Sequence, residues 1–297
     1  MIVRKNLEIP AEGGVLLSAL YFTPKNVDAR LPAVTMAHGY ACTKTHGQLD
    51  RFAETIAKAG FAVLLHDHRG FGLSGGEPRQ DVDPWRQIAD WRRVVSFLES
   101  RPEVDPQRIG LWGTSYAGGH AIILGATERR IKAVVSQAPT INGYEQGLRR
   151  VAPHAVAALE EAFVQDERAQ LKGEPPQTRA VVSRDPSVPA AYYDEEAVNF
   201  FLNPGETPWE NKVTLRSIRQ SRMYQPGLWV DKVSPTPLLM IIADHDTVTL
   251  SDIALRAYER ALEPKRLELI AGSHFNPYNK KSDQAARAAV DWFKRYL

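Results

Sequence analysis

The sequence predicts an α/β fold: a mostly parallel, twisted sheet with helices on both faces. Three observations carry that expectation. Short, almost wholly apolar runs alternate with amphipathic stretches at both ends of the 297-residue chain, as parallel strands joined by helical crossovers require. Four chemistry-bearing residues, Tyr40, Ser115, Asp246 and His274, each follow such a run closely. Ligands of such sheets bind beyond the carboxyl ends of the strands, so those four can meet at one edge. The alternation lapses only over residues 141–231. A structureless loop of that length is implausible in a compact domain. The expected organisation is a core of 1–140 and 232–297 with an inserted helical cap at 141–231.

The elements follow in order. Residues 2–9 and 15–23 alternate around Glu12-Gly-Gly14 and read as an antiparallel pair. Leu31–Ala37 is a short apolar strand ending at His38-Gly39-Tyr40. Phe52, Ile56 and Ala59 mark a helix face that Gly60 stops. Phe61–Leu65 is the next buried strand, and Asp83-Pro84 cap a helix carrying Ile88, Trp91, Val95 and Leu98. A strand at about 108–113 precedes a helix to about 127, and Ile131–Ser136 is another strand. Within 141–231, segments 145–171 and 194–202 look helical, with Pro153 breaking the first. Strands Pro237–Ala243 and Arg266–Ile270 then flank a helix at 251–262. A last helix from Ser282 should bury Ala286, Val290, Phe293 and Leu297.

The stretch Ile109–Gly119 carries the chemistry. A strand ends in Gly113-Thr-Ser115-Tyr-Ala117-Gly-Gly and a helix follows. That is a nucleophile elbow, a sharp turn that thrusts a serine hydroxyl out of the fold. Small residues are needed two places either side of the serine. Gly113 meets that need, and Ala117 replaces the commoner glycine. A serine hydroxyl at neutral pH needs a base, and the base needs a carboxylate to fix its tautomer. His274 and Asp246 suit these roles, with Asp244 as a rival carboxylate nearer the strand end. The backbone N–H groups of Tyr40 and Tyr116 are the expected oxyanion donors.

Over nearly its full length the chain resembles the α/β-hydrolase superfamily. The matching motifs are His38-Gly-Tyr40, Asp67–Ser74, the elbow, Ala243–Val248 and Gly272–Phe275. The order Ser, Asp, His is the order of that fold. The elbow form is similar to the dienelactone-hydrolase-like and polyketide-transferase-like branch, and to X-prolyl peptidases. The resemblance implies an α/β-hydrolase fold and a serine hydrolase, a carboxylic-ester hydrolase type, without a cofactor.

Composition narrows the classes. Net charge is +2 from 37 basic and 35 acidic residues, which does not argue for nucleic acid or a membrane surface. No apolar stretch spans a bilayer. The single cysteine, Cys42, permits no intramolecular disulfide and suits a reducing compartment. With no signal-peptide core in the opening residues, the expected location is cytoplasmic. His66 and His68 alternate at a strand end but lack a third ligand at a fitting spacing, so no metal is expected. The leading function is cleavage of an ester, thioester or lactone through an acyl-enzyme on Ser115. An acyltransferase using the same triad, an amidase or peptidase, and a non-catalytic ligand-binding protein on this fold are the alternatives. The expected partner is a small-molecule acyl substrate. Phe200, Phe201 and Trp209 are candidate substrate contacts in the cap. A homodimer is compatible with the sequence, which does not set the oligomeric state.

Overall fold

The computed structural model describes residues 1–25 and 29–297. Its main sheet has eight strands. Ile2–Pro10 (β1) and Leu16–Pro24 (β2) pair antiparallel over their whole length. Leu31–Ala37 (β3), Ala62–His66 (β4), Val104–Thr114 (β5) and Ile131–Gln137 (β6) follow, and two late strands complete the sheet. Those late strands are Leu238–Ala243 (β10) and Lys265–Ile270 (β11). The order is β1-β2-β4-β3-β5-β6-β10-β11, parallel from β4 onward. Strand β5 lies between β3 and β6, which places its carboxyl end near the middle of the sheet.

Helices cover both faces. Leu49–Lys58 (α1) and Ser282–Tyr296 (α9) pack on one side, in a cluster with Phe52, Trp112, Trp292 and Phe293. Pro84–Glu99 (α2) and Tyr116–Thr127 (α3) bury their apolar residues on the other, around Trp91, Leu98 and Ile122. The Asp83 carboxylate caps α2 by accepting from Trp85 N and Arg86 N, which satisfies two donors of the first turn. Of the expected α9 stripe Ala286 and Phe293 are buried, while Val290 and Leu297 lie only partly covered and Ala285, Ala289 and Trp292 are buried beside them.

Residues between β6 and β10 form their own structure. Gly143–Arg150 (α4), Pro153–Gln170 (α5), Glu195–Phe201 (α6) and Leu215–Met223 (α7) are helical. The helical stretch breaks at Pro153 as expected, and Pro153 itself opens α5, since its ring suits the first turn. Thr178–Val182 (β7), Ala190–Tyr192 (β8) and Val213–Thr214 (β9) add a three-stranded sheet in the order β8-β7-β9. Prolines divide this stretch, and its strands are two to five residues long. So short a run carries too few residues for a period-two pattern to emerge. Ser251–Arg260 (α8) then joins β10 to β11.

This segment is tied to the strand-end loops of the core. Thr45 Oγ1 donates to Pro204 O at 2.8 Å and accepts from Thr207 N at 3.0 Å. Gln146 Nε2 donates to Thr249 O at 2.9 Å, beside the loop after β10.

Candidate active site

Ser115 sits between β5 and α3 with φ 55° and ψ −117°. A non-glycine residue with positive φ is costly and persists only when its surroundings hold it. Here backbone bonds pin both sides: Ser115 N donates to Gln137 O at 2.8 Å, and Ser115 O accepts from Thr140 N at 2.9 Å. Gly113 has a steric reason. A Cβ there would lie 2.1 Å from the Ala117 carbonyl oxygen. Gly39 has another, because its Cβ would approach Ser115 Cβ to 2.9 Å. The loop after β3 therefore passes directly over the serine.

His274 follows β11 and is buried. Its Nδ1 lies 2.7 Å from Asp246 Oδ2. Both hydrogen-bonding contacts of the ring, to Asp246 and to Thr249 Oγ1 at 3.5 Å, are at Nδ1. An ionised carboxylate only accepts, so Nδ1 carries the proton and Nε2 is left as a base. Ser115 and His274 line the same small cleft, with Gly39, Tyr40, Phe275 and Tyr278.

Asp246 is fully committed. Oδ1 accepts from Val248 N at 2.8 Å and Thr249 N at 2.7 Å, and Oδ2 accepts from Thr249 Oγ1 at 2.7 Å. Burial opposes its charge, but the facing His274 and the Thr249 bonds hold the carboxyl below the usual carboxylate range. Asp244 is elsewhere. Its Oδ1 accepts from Gly272 N at 2.7 Å and contacts His245 Nδ1 at 2.6 Å, in a solvent-exposed turn. It ties the loops after β10 and β11 together. Thr249, three residues after Asp246, is a site residue that the sequence reading missed. The Asp-x-x-Thr spacing, which lets a side chain bond a backbone N–H nearby, was the available signal.

The two tyrosines meet over the serine. Tyr40 and Tyr116 rings stand edge to face at 5.6 Å and both are buried. Tyr116 opens α3, so its N–H has no acceptor within the helix. Phe200 and Phe201 also line the small cleft. Trp209 lines neither that cleft nor the larger cavity beyond it. Its indole N–H donates to Ala41 O at 2.7 Å, bracing the loop that carries Tyr40. An aromatic residue in the inserted segment announces burial, and only the packed structure says against what.

His66 and His68 belong to a buried cluster with His38 and His120. Ring centroids of His38–His68, His66–His68 and His68–His120 are 4.6, 5.2 and 5.6 Å apart. His68 N donates to His38 Nε2 at 3.1 Å, so His38 Nδ1 carries the proton toward Gly39 O at 3.0 Å. Burial pushes all four rings toward the neutral form. Among the described residues no group of three or more His, Cys, Asp or Glu side chains is arranged to hold a metal ion. Asp67, beside this cluster, accepts from Lys44 N at 2.7 Å and pairs with the Lys44 ammonium, both groups being buried. Cys42 is buried in the same loop, and burial pushes its thiol up, away from the reactive thiolate.

A second cavity of about 730 Å³ opens from Ser115. Its walls come from α4, α5, β7, β8 and α7, together with the loop after β10. Arg150, Arg179 and Tyr192 are among its lining residues.

A parallel sheet with a strained serine at its central strand end, a histidine–aspartate pair after the last two strands and helices on both faces defines an α/β-hydrolase enzyme. Alpha/beta hydrolase GrgF from Penicillium sp. sh18 superposes with a TM-score of 0.85, at 26% identity, covering 99% of each chain. The family model for X-Pro dipeptidyl-peptidase (S15 family) matches residues 13–276, and the chain belongs to that family. Among relatives, quorum-quenching protein AidA of Acinetobacter baumannii is 27% identical over 98% of this chain and 95% of its own. Thiohydrolase aneE of Aspergillus aculeatus is 31% identical over 81% of this chain and 77% of its own. No helix among the described residues is long and apolar enough to cross a membrane.

Proposed function

We propose that the protein is a serine hydrolase that cleaves a carboxylic ester, thioester or lactone through an acyl-enzyme on Ser115. The observation that carries it is the 2.7 Å contact between His274 Nδ1 and Asp246 Oδ2, in the wall of the cleft that also holds the strained Ser115. His274 Nε2 takes the proton as Ser115 Oγ bonds to the acyl carbon. The carbonyl oxygen gains charge and is met by Tyr40 and Tyr116 backbone N–H groups. The C–O or C–S bond then breaks, and the imidazolium hands its proton to the leaving oxygen or sulfur. Water repeats the sequence on the acyl-enzyme and releases the acid. Asp246 holds the Nδ1–H tautomer and stabilises the imidazolium throughout.

Residues 141–231 act in this scheme as a cap over the core of 1–140 and 232–297. Their bonds to Thr45, Ala41 and Thr249 support that division. The names of relatives fit two outcomes of one acyl-enzyme. AidA and aneE are named as a quorum-quenching protein and a thiohydrolase, and other relatives as polyketide transferases. An acyltransferase would deliver the acyl group to an alcohol or amine held in the larger cavity.

The test is a panel of acyl p-nitrophenyl esters, thioesters, lactones and amides, with Ser115→Ala as control and fluorophosphonate labelling read by intact mass. One adduct on the wild type and none on Ser115→Ala is expected, with turnover of at least one oxygen or sulfur ester. Equal labelling of the variant would remove Ser115 from the chemistry. Faster release with added alcohol, giving a new ester, would select the transferase.

A further inference from the structure

We infer that the substrate carries an anionic group, a carboxylate or a phosphate, besides its reacting carbonyl, and that Arg150 and Arg179 bind it. The inference rests on the serine-hydrolase function of Ser115 and names the class of molecule that site takes.

The larger cavity has two kinds of wall. Val151, Ala155, Ala158, Leu159 and Ile218 make one side apolar. Arg150 and Arg179 line the same space, and the Arg150 guanidinium lies against Val248 and Tyr192, two further lining residues. Neither has a carboxylate within 4.0 Å among the described residues, whereas Arg222, a third arginine in the lining, is paired with Glu160 at 2.7 Å. The one carboxylate in the lining belongs to Asp194, whose side chain is engaged in capping α6 through Ala197 N at 2.8 Å. The lining therefore carries an excess of positive charge, with neither Arg150 nor Arg179 in an ion pair among the described residues.

Arg150 is also held in place. Its Nη2 donates to Val248 O at 2.9 Å, and its guanidinium lies over the Tyr192 ring at 4.7 Å from the centroid. Val248 follows Asp246 by two residues, so this cation is anchored to the loop that carries the triad carboxylate. A guanidinium already oriented by a carbonyl and an aromatic face loses little freedom on binding, and its remaining N–H groups match a carboxylate or phosphate in bidentate fashion. Arg179, on β7, makes no such bonds among the described residues and can turn to the ligand. An apolar lining with two cations fits an acyl or leaving group that is aliphatic over part of its surface and carries one anionic group.

The experiment compares three alkyl fluorophosphonates of equal length, ending in a carboxylate, a phosphate or a methyl ester. The second-order rate of Ser115 labelling is read by intact mass on the wild type, Arg150→Gln and Arg179→Gln. One anionic probe should label the wild type about 10- to 100-fold faster than the neutral one. The preferred anion tells a carboxylate substrate from a phosphorylated one. Each variant should cut that ratio about tenfold, and 0.5 M salt should compress it in the wild type. Arg179→Gln removes no side-chain hydrogen bond among the described residues, so it stays informative if Arg150→Gln folds poorly. Equal rates for all three probes on the wild type, or a ratio that Arg179→Gln and Arg150→Gln both leave unchanged, overturns the anion site while Ser115 stays the nucleophile. Absence of labelling by every probe would instead overturn the serine-hydrolase function itself.

Discussion

Asp246→Asn isolates the contribution of one proton position. In the wild type, Oδ1 faces two backbone N–H donors, Val248 and Thr249, while Oδ2 faces Thr249 Oγ1 and His274 Nδ1. An asparagine must place its NH2 on one side or the other. Turned toward the backbone, it opposes two N–H donors, at about 1–3 kcal/mol for each buried group left unpaired. Turned toward Oδ2's place, it finds acceptors. The Thr249 hydroxyl can donate instead to Ala138 O, at 3.1 Å, and offer its lone pair to the amide. His274 can accept at Nδ1 only if its proton moves to Nε2. The second arrangement is the cheaper one, and it removes the base from the serine. A histidine locked in the wrong tautomer costs on the order of 10⁴ in turnover, or about 5 kcal/mol of transition-state stabilisation. The assay is the rate of acylation with a p-nitrophenyl ester, with circular dichroism to show that the fold persists. Asp244→Asn, in an exposed turn, should change the rate by less than about threefold. An Asp246→Asn variant within tenfold of wild type, or a larger loss from Asp244→Asn, would refute the assignment and the tautomer reasoning with it.

Three further outcomes are expected. Gly113→Ala should abolish labelling of Ser115 by fluorophosphonate and lower the thermal midpoint, because its Cβ would sit 2.1 Å from the Ala117 carbonyl oxygen; wild-type labelling would show that the elbow tolerates a side chain. Phe200→Ala or Phe201→Ala, in the cleft wall, should shift the acyl-chain-length optimum in a kcat/KM series, whereas Trp209→Phe should lower acylation about tenfold at every length by freeing the Tyr40 loop. Acid should unfold the protein early. Burial lowers His66 and His120 to about 3 and His46 to about 4, so below pH 6.5 the unfolded chain binds protons that the folded one refuses. Stability from these rings is intact above pH 6.5 and falls by about 1.4 kcal/mol per ring per unit as pH drops toward each ring's folded value, about 4 for His46 and about 3 for His66 and His120. Circular dichroism should give an unfolding midpoint above about pH 4, moved lower by His66→Leu; an unchanged midpoint in that variant would contradict the buried-histidine account.

The sequence alone determined what local chemistry dictates. Alternating apolar runs and helix faces specify a parallel sheet, because strands buried on both sides must be apolar and crossovers must be amphipathic. The Gly113-Thr-Ser115-Tyr-Ala117 turn announces itself because only small residues survive its backbone crowding, and the 2.1 Å approach at Gly113 is that crowding measured. The sequence nominates Asp246 and His274 because both follow strand ends in the chain order of this fold, and the structure brings their side chains to 2.7 Å. The tertiary structure decided what depends on partners distant in sequence. Asp244 and Asp246 stand two residues apart, yet one faces Gly272 in an exposed turn and the other faces His274 in the interior. The same aromatic type lines the cleft at Phe200 and braces a loop at Trp209. Arg150 and Arg179 are unremarkable as sequence, since most arginines are solvated. Only packing brings them into the cavity beside Ser115, because side-chain direction and charge pairing are set by which elements meet, and no local pattern encodes that meeting.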